Sequence, residues 1–319
     1  MDYDESVIDW LLAGDPAVQW QVQRDLLDLP ETVYAATRKL VATSGYGARF
    51  LAFQDPAGTW GGGLYGPKWI STTYTLLTLR RLGLPQDNAA ARVGCELLLE
   101  GGFRPDGGIH YARSKINHSE TCITGMVLSL LAYFRYPDGR VDDLVEYLLV
   151  QQMPDYGWNC RSYLGDTHAS FHTTISVLEG LWEYEKAYGE RPGIQDARTR
   201  AHEFLWLHWL YRSHRTGEVF DKKMTMLPFP PRWRYDVLRA LDYFQDCRAP
   251  RDNRMADAVD LLKRKRKNDY RWQVNAGMSG LKFFEMEAAG NPSRMNTLRA
   301  LRVLRWWEQG GGSQNDKGT

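Results

Sequence analysis

The chain has 319 residues, 43% of them apolar and 25% charged, with a net charge of +1. That balance is ordinary for a globular protein and leaves no overall field to draw nucleic acid or an anionic membrane, so no nucleic-acid partner is expected. No apolar run approaches the roughly 18 residues that would span a membrane. The acidic start at Asp2, Asp4 and Glu5 lacks a leader-like segment, and Cys95, Cys122, Cys160 and Cys247 are too scattered for a disulfide framework, which together point to a cytoplasmic protein with reduced thiols.

Alternation of the strand type is almost absent, and helical periodicity runs in pairs. The first pair is predicted at 5–13 and 16–28, with Asp15 as N-cap and Pro16 in the first helical position. The second is 31–43, extended by 47–53, then 69–82 with Gly83 as C-cap. The third is 88–100 and 119–134, stopped by the turn Tyr136-Pro137-Asp138-Gly139. The fourth is 141–152 and 170–188, the fifth 194–211 and 231–244, and the sixth 251–265 and 293–308. The single domain therefore spans 1–309, and the Gly-rich, polar stretch 310–319 reads as a flexible tail.

A Gly-rich link joins the two helices of pairs two to six. Gln54-Asp55-Pro56-Ala57-Gly58-Thr59-Trp60 reads Q-x-x-x-G-x-W, and Gln152-Met153-Pro154-Asp155-Tyr156-Gly157-Trp158 repeats it with its glycine one place late. Pro105-Asp106-Gly107-Gly108-Ile109, Arg215-Thr216-Gly217 and Asp269-Tyr270-Arg271-Trp272 are partial copies. A repeat of about fifty residues with two helices each means stacked or ring-closed helical hairpins. The second helices carry the apolar runs (Leu76-Leu77, Met126-Val127-Leu128, Val177-Leu178, Val303-Leu304) and the first are amphipathic. The expected fold is all-α: an α/α toroid of six hairpins, six helices inside and six outside, around a central cavity.

The Q-x-x-x-G-x-W link, spread over residues 30–308, resembles the repeat of squalene and oxidosqualene cyclases and of protein prenyltransferase β subunits. The resemblance implies the toroid, and an enzyme acting on an isoprenoid or similar apolar substrate in the central cavity. The D-x-D-D acid motif of squalene cyclases is absent; neither Asp142-Asp143 nor Asp2-Tyr3-Asp4-Glu5 matches it. The Asp-x-Cys and distant His that bind zinc in prenyltransferases are also absent, since Asp246-Cys247 is adjacent rather than spaced. His118-Ser119-Glu120-Thr121-Cys122 is similar to the prenyltransferase segment in which a His and then a Cys open an inner helix toward a lipid diphosphate, which implies a substrate contact for His118.

The first turns of the inner helices should rim the cavity, where helix N-termini favour anions. Capping accounts for Ser71, Ser119, Ser170 and Ser293, but not for His118, Cys122, His172 or Arg232. His118, Glu120, His172 and Asp236 are the candidate acid–base groups, because a carboxyl in an aromatic cavity has a raised pKa; an ion pair with Arg232 or Arg239 is the plainer account of Asp236. Trp69, Arg232, Trp233, Tyr235 and Asn296 are the candidate substrate contacts, with Arg232 held by the stiff Phe229-Pro230-Pro231 segment. Cys122, Cys160, His168 and His172 come from adjacent hairpins and form a candidate zinc site that would activate water or a thiol; buried thiols and hydrogen-bonded histidines are the alternative. Trp60 and Trp158 read as wedges between neighbouring hairpins that tighten the ring. The basic run Lys263-Arg264-Lys265-Arg266-Lys267 reads as a solvated helix end, with a weak peripheral membrane or RNA contact as the alternative. Two functions stand beside the isoprenoid enzyme: a zinc-dependent enzyme with another substrate, and a non-catalytic toroid that binds a ligand or partner.

Overall fold

The structure, a computed structural model, describes residues 4–111 and 118–309. Among these are thirteen α-helices and no β-strand, only isolated bridges such as Gln54 to Trp60. The helices fall into six hairpins. They are α1 (Glu5–Leu12) with α2 (Pro16–Asp25); α3 (Glu31–Lys39) and α4 (Gly45–Leu51) with α5 (Thr72–Leu82); α6 (Ala89–Gly102) with α7 (Thr121–Tyr133); α8 (Arg140–Val150) with α9 (Phe171–Tyr188); α10 (Ile194–Leu207) with α11 (Val237–Asp246); and α12 (Ala256–Arg264) with α13 (Arg294–Glu308).

The second helix of each pair is the inner one. Burial runs around nearly the whole circumference of α7, whereas α3 buries no residue. The inner helices close a ring. The Trp20 indole donates to the Leu82 carbonyl at 2.9 Å, joining α2 to α5, and Arg302 of α13 donates to Gln21 of α2 at 3.0 Å. α7 and α9 approach most tightly, through glycines. A Cβ at Gly180 would lie 2.5 Å from the Gly125 carbonyl oxygen, so no larger residue fits without parting the two backbones.

The links repeat one device. The indoles of Trp60, Trp158 and Trp272 donate to the carbonyls of Phe50, Leu148 and Leu262, in the last turn of the preceding outer helix, at 2.7, 2.7 and 2.8 Å. Their amides donate to the hydroxyl oxygens of Thr72, Thr174 and Thr297 at 3.1, 3.0 and 3.0 Å. In the third hairpin Ile109 donates to Thr124 in the same way. Gln54 and Gln152 each reach the next outer helix, at the carbonyls of Ala90 and Ala197. The tryptophans thus tie outer helix to inner helix, and the glutamines tie one hairpin to the next.

Several expectations shift. The outer segment of the second hairpin is broken by a 3-10 turn at Leu40–Ala42. The inner helices start later than the apolar pattern suggests, so Trp69 precedes α5, and Arg232 and Trp233 precede α11. Of the four expected serine caps only Ser293 accepts a first-turn amide, from Asn296 at 2.9 Å. The serine positions at α5 and α9 carry no side-chain cap bond, and Ser119 lies outside α7 and donates to Asp106 at 2.6 Å. At α5 backbone carbonyls in the link do that work instead: the Thr72 and Thr73 amides donate to Gly63 and Leu64, both at 2.9 Å.

The centre of the ring is charged. Arg239, 1% exposed, donates twice to Glu179, at 2.8 and 3.0 Å, and Arg80 and Arg81 converge on the same carboxylate. Against the effect of burial, these cations hold the Glu179 carboxyl well below its usual range. Arg299 and Arg302 form a second knot on Asp242, at 3.0 and 2.6 Å. Arg80 and Arg81 stand in the last turn of α5, where a cation suits the partly negative helix end. A cavity of about 280 Å³ lies among these groups.

Candidate functional site

The N-terminal ends of the inner helices form the opposite mouth of the ring. The long link between α12 and α13 docks across it. Leu281 and Lys68 pair through backbone, Trp69 donates its amide to Leu281, and the Tyr46 hydroxyl donates to Met286 at 2.7 Å. A pocket of about 410 Å³ lies beneath, walled by Phe50, Phe229, Met278, Phe283 and Phe284 with Trp69 and Arg232 at one side. Phe50 and Phe284 are 4.6 Å apart by ring centroids. The Trp69 indole donates to the Ser279 carbonyl at 2.7 Å, and its ring stands edge-on to Tyr74 at 4.8 Å.

Arg232 is the charged group of this pocket. Its guanidinium lies 5.8 Å from the Trp69 ring centroid, and its only hydrogen bond among the described residues is a long one, 3.4 Å, to the Trp69 carbonyl. No carboxylate pairs with it among the described residues, so it is not the partner of Asp236. Burial lowers it to about 10. Its backbone is left-handed, with φ of 58°.

The remaining expected contacts divide. Tyr235 donates its amide to His172 Nδ1 at 2.9 Å, and the His172 ring meets Trp233 at 5.0 Å. With Nδ1 an acceptor the neutral ring carries its proton on Nε2, and burial, followed by the charges of Arg239 and Arg234, depresses His172 to about 4. The Trp233 indole is buried without a hydrogen-bond partner in the structure. Tyr235 itself is buried, its hydroxyl donating to Leu210. Asn296 faces inward but is spent on structure: its amide donates to the carbonyls of Leu227 and Gln273, anchoring two links. Asp236 caps α11, accepting from the Arg239 amide at 2.8 Å on one oxygen while the other has no partner. Burial raises this carboxyl to about 6, despite nearby arginines.

Hairpins three and four bring Cys122 and Cys160 together. The neighbouring Cys122 thiol, with Thr173, lowers Cys160 to about 6, while Cys160 and burial push Cys122 up. Cys160 opens on a surface cleft of about 630 Å³ that also holds His118, whose ring packs on Tyr163 at 3.9 Å. Glu120 precedes α7 and lies 3.5 Å from His110. His168 does not join them: its side chain is 80% exposed and 3.9 Å from Asp155. Among the described residues no group of three or more His, Cys, Asp or Glu is placed to hold a metal ion. The two thiols alone fall short of the three or four protein ligands zinc takes, so the expected set does not fit as arranged.

Sequence reasoning passed over three residues at this mouth. His110 is buried with neither ring nitrogen hydrogen-bonded, and Tyr65 and Tyr74 face each other at 5.3 Å beside Cys122, with burial raising both hydroxyls.

No family model and no curated protein matches this sequence. Among solved structures the chain is similar to a protein from Actinoplanes, with 15% identity over 92% of this chain and 90% of that one and a TM-score of 0.47. It is also similar to the type II terpene cyclase MstE from Scytonema, with 14% identity over 84% of this chain and 97% of that one and a TM-score of 0.35. A complex of an MstE variant with geranylgeranyl dihydroxybenzoate gives 14% identity over 86% and 97%, with a TM-score of 0.33.

Proposed function

We propose that the chain is an enzyme whose substrate joins an isoprenoid-type apolar chain to an anionic head, and that it binds this molecule at the N-terminal mouth of the ring. The observation that carries this reading is the Arg232 guanidinium, half-buried on Trp69 without a carboxylate among the described residues, at the edge of an aromatic and methionine-lined pocket. A cation in such a setting is poorly solvated and gains from a bound anion, while the ring faces and Met278 suit an apolar chain. The charged centre suits such a chain badly, so the substrate is assigned to the mouth rather than to the central cavity. Of the acid–base candidates, His172 is the one tied to the Arg232 segment, through the Tyr235 amide and the Trp233 ring.

The test is binding of geranylgeranyl diphosphate and geranylgeraniol, followed by tryptophan fluorescence. Arg232→Gln is expected to weaken the diphosphate about tenfold or more, the loss of one charge-assisted hydrogen bond, and to leave the alcohol unaffected. Equal weakening of both, or no binding of either by the unaltered protein, would overturn the reading.

A further inference from the structure

The central cavity holds more positive charge than the mouth. Its lining carries eight cationic side chains against four carboxylates, Glu179, Glu183, Asp242 and Asp246. Asp25, just outside the lining, is shared by Arg24 and Arg302. Arg38 has no carboxylate partner among the described residues; it donates to the Gly83 carbonyl at 2.9 Å and to the Tyr133 hydroxyl at 2.9 Å. Deeper in, Arg80 Nε and Arg299 Nη2 are buried donors without a hydrogen-bond partner in the structure. Burial, together with the charges of Arg239, Arg80 and Arg299, depresses the Arg81 guanidinium to about 10 even though Glu179 pulls the other way. Buried charge of one sign in excess is costly unless something of the other sign joins it.

We propose that this cavity is a binding site for a small, multiply charged anion, of which inorganic diphosphate is the simplest. Guanidinium groups present forked donors that match the oxygens of phosphates. Arg38 and Arg24 stand at the rim and Arg80, Arg81 and Arg299 supply the floor, so the anion meets cations along its whole path. The site is separate from the mouth pocket: Phe229 lines both and stands between them. It does not depend on the isoprenoid reading.

The experiment is titration of the full chain with inorganic diphosphate at constant ionic strength, read by calorimetry and by thermal unfolding. A saturable rise in Tm with a matching isotherm is expected. Arg38→Gln and Arg81→Gln should each weaken the affinity about tenfold or more, and the exposed-surface change Arg215→Gln should not. If Arg81→Gln fails to fold, Arg38→Gln at the rim decides. The proposal falls if the unaltered protein shows no saturable effect, if potassium chloride reproduces the shift, if both cavity variants keep it, or if only Arg232→Gln abolishes it.

Discussion

The Trp158 amide donates to the Thr174 hydroxyl oxygen at 3.0 Å while its indole donates to the Leu148 carbonyl at 2.7 Å, so one residue fixes outer helix α8 against inner helix α9. Thr174→Val keeps the shape of the side chain and leaves the buried amide unpaired. It should cost about 1–3 kcal/mol in urea unfolding, with Thr174→Ser close to the parent. Equal stability of the valine and serine variants would show that the hydroxyl is not what holds the link.

Asp236 gives a pH signature of defined sign. Burial raises its folded carboxyl to about 6, above the ordinary aspartate value of 3.8. Below 3.8 folded and unfolded chains both hold the proton; between 3.8 and about 6 the unfolded chain releases it first, so stability falls as pH rises and the loss is complete above about 6. Asp236→Asn keeps an oxygen for the Arg239 amide and removes the titration. Its Tm relative to the parent should therefore climb between pH 4 and pH 7, and a difference that stays constant with pH would contradict the raised carboxyl.

Cys160 should be the first thiol to react. With its titration lowered to about 6, its alkylation by iodoacetamide should rise between pH 5 and pH 7 and then level, where an ordinary thiol keeps accelerating beyond pH 8. Cys122→Ala removes the neighbouring thiol that lowers Cys160 and should move that profile toward the ordinary range. Mass spectrometry of the modified peptides separates Cys160 from the buried Cys95, which burial pushes the other way.

At the mouth, the residue types were legible in the sequence and their partners were not. Arg232 and His172 stand out because capping leaves them unexplained; Trp69 and Arg232 line one pocket, and His172 packs on the neighbouring Trp233. His168 has the same spacing to His172 as His118 has to Cys122, yet it precedes α9 and faces solvent, since the helix begins at Phe171. Helical spacing places two residues on one face only where the helix exists. Asn296 fails for a different reason: it does face inward, and two link carbonyls consume its amide.

The amino-acid sequence by itself determined the six helical hairpins and their inner and outer members. These rest on helical periodicity and on a link that recurs, both readable over a few dozen residues. Only the tertiary structure decided the character of the interior. Arg239 meets Glu179 across 60 residues and Arg302 meets Gln21 across 281, and each looks in sequence like a surface charge on an amphipathic turn. Ring closure turns those side chains inward together, so residues far apart in the chain become partners around one axis.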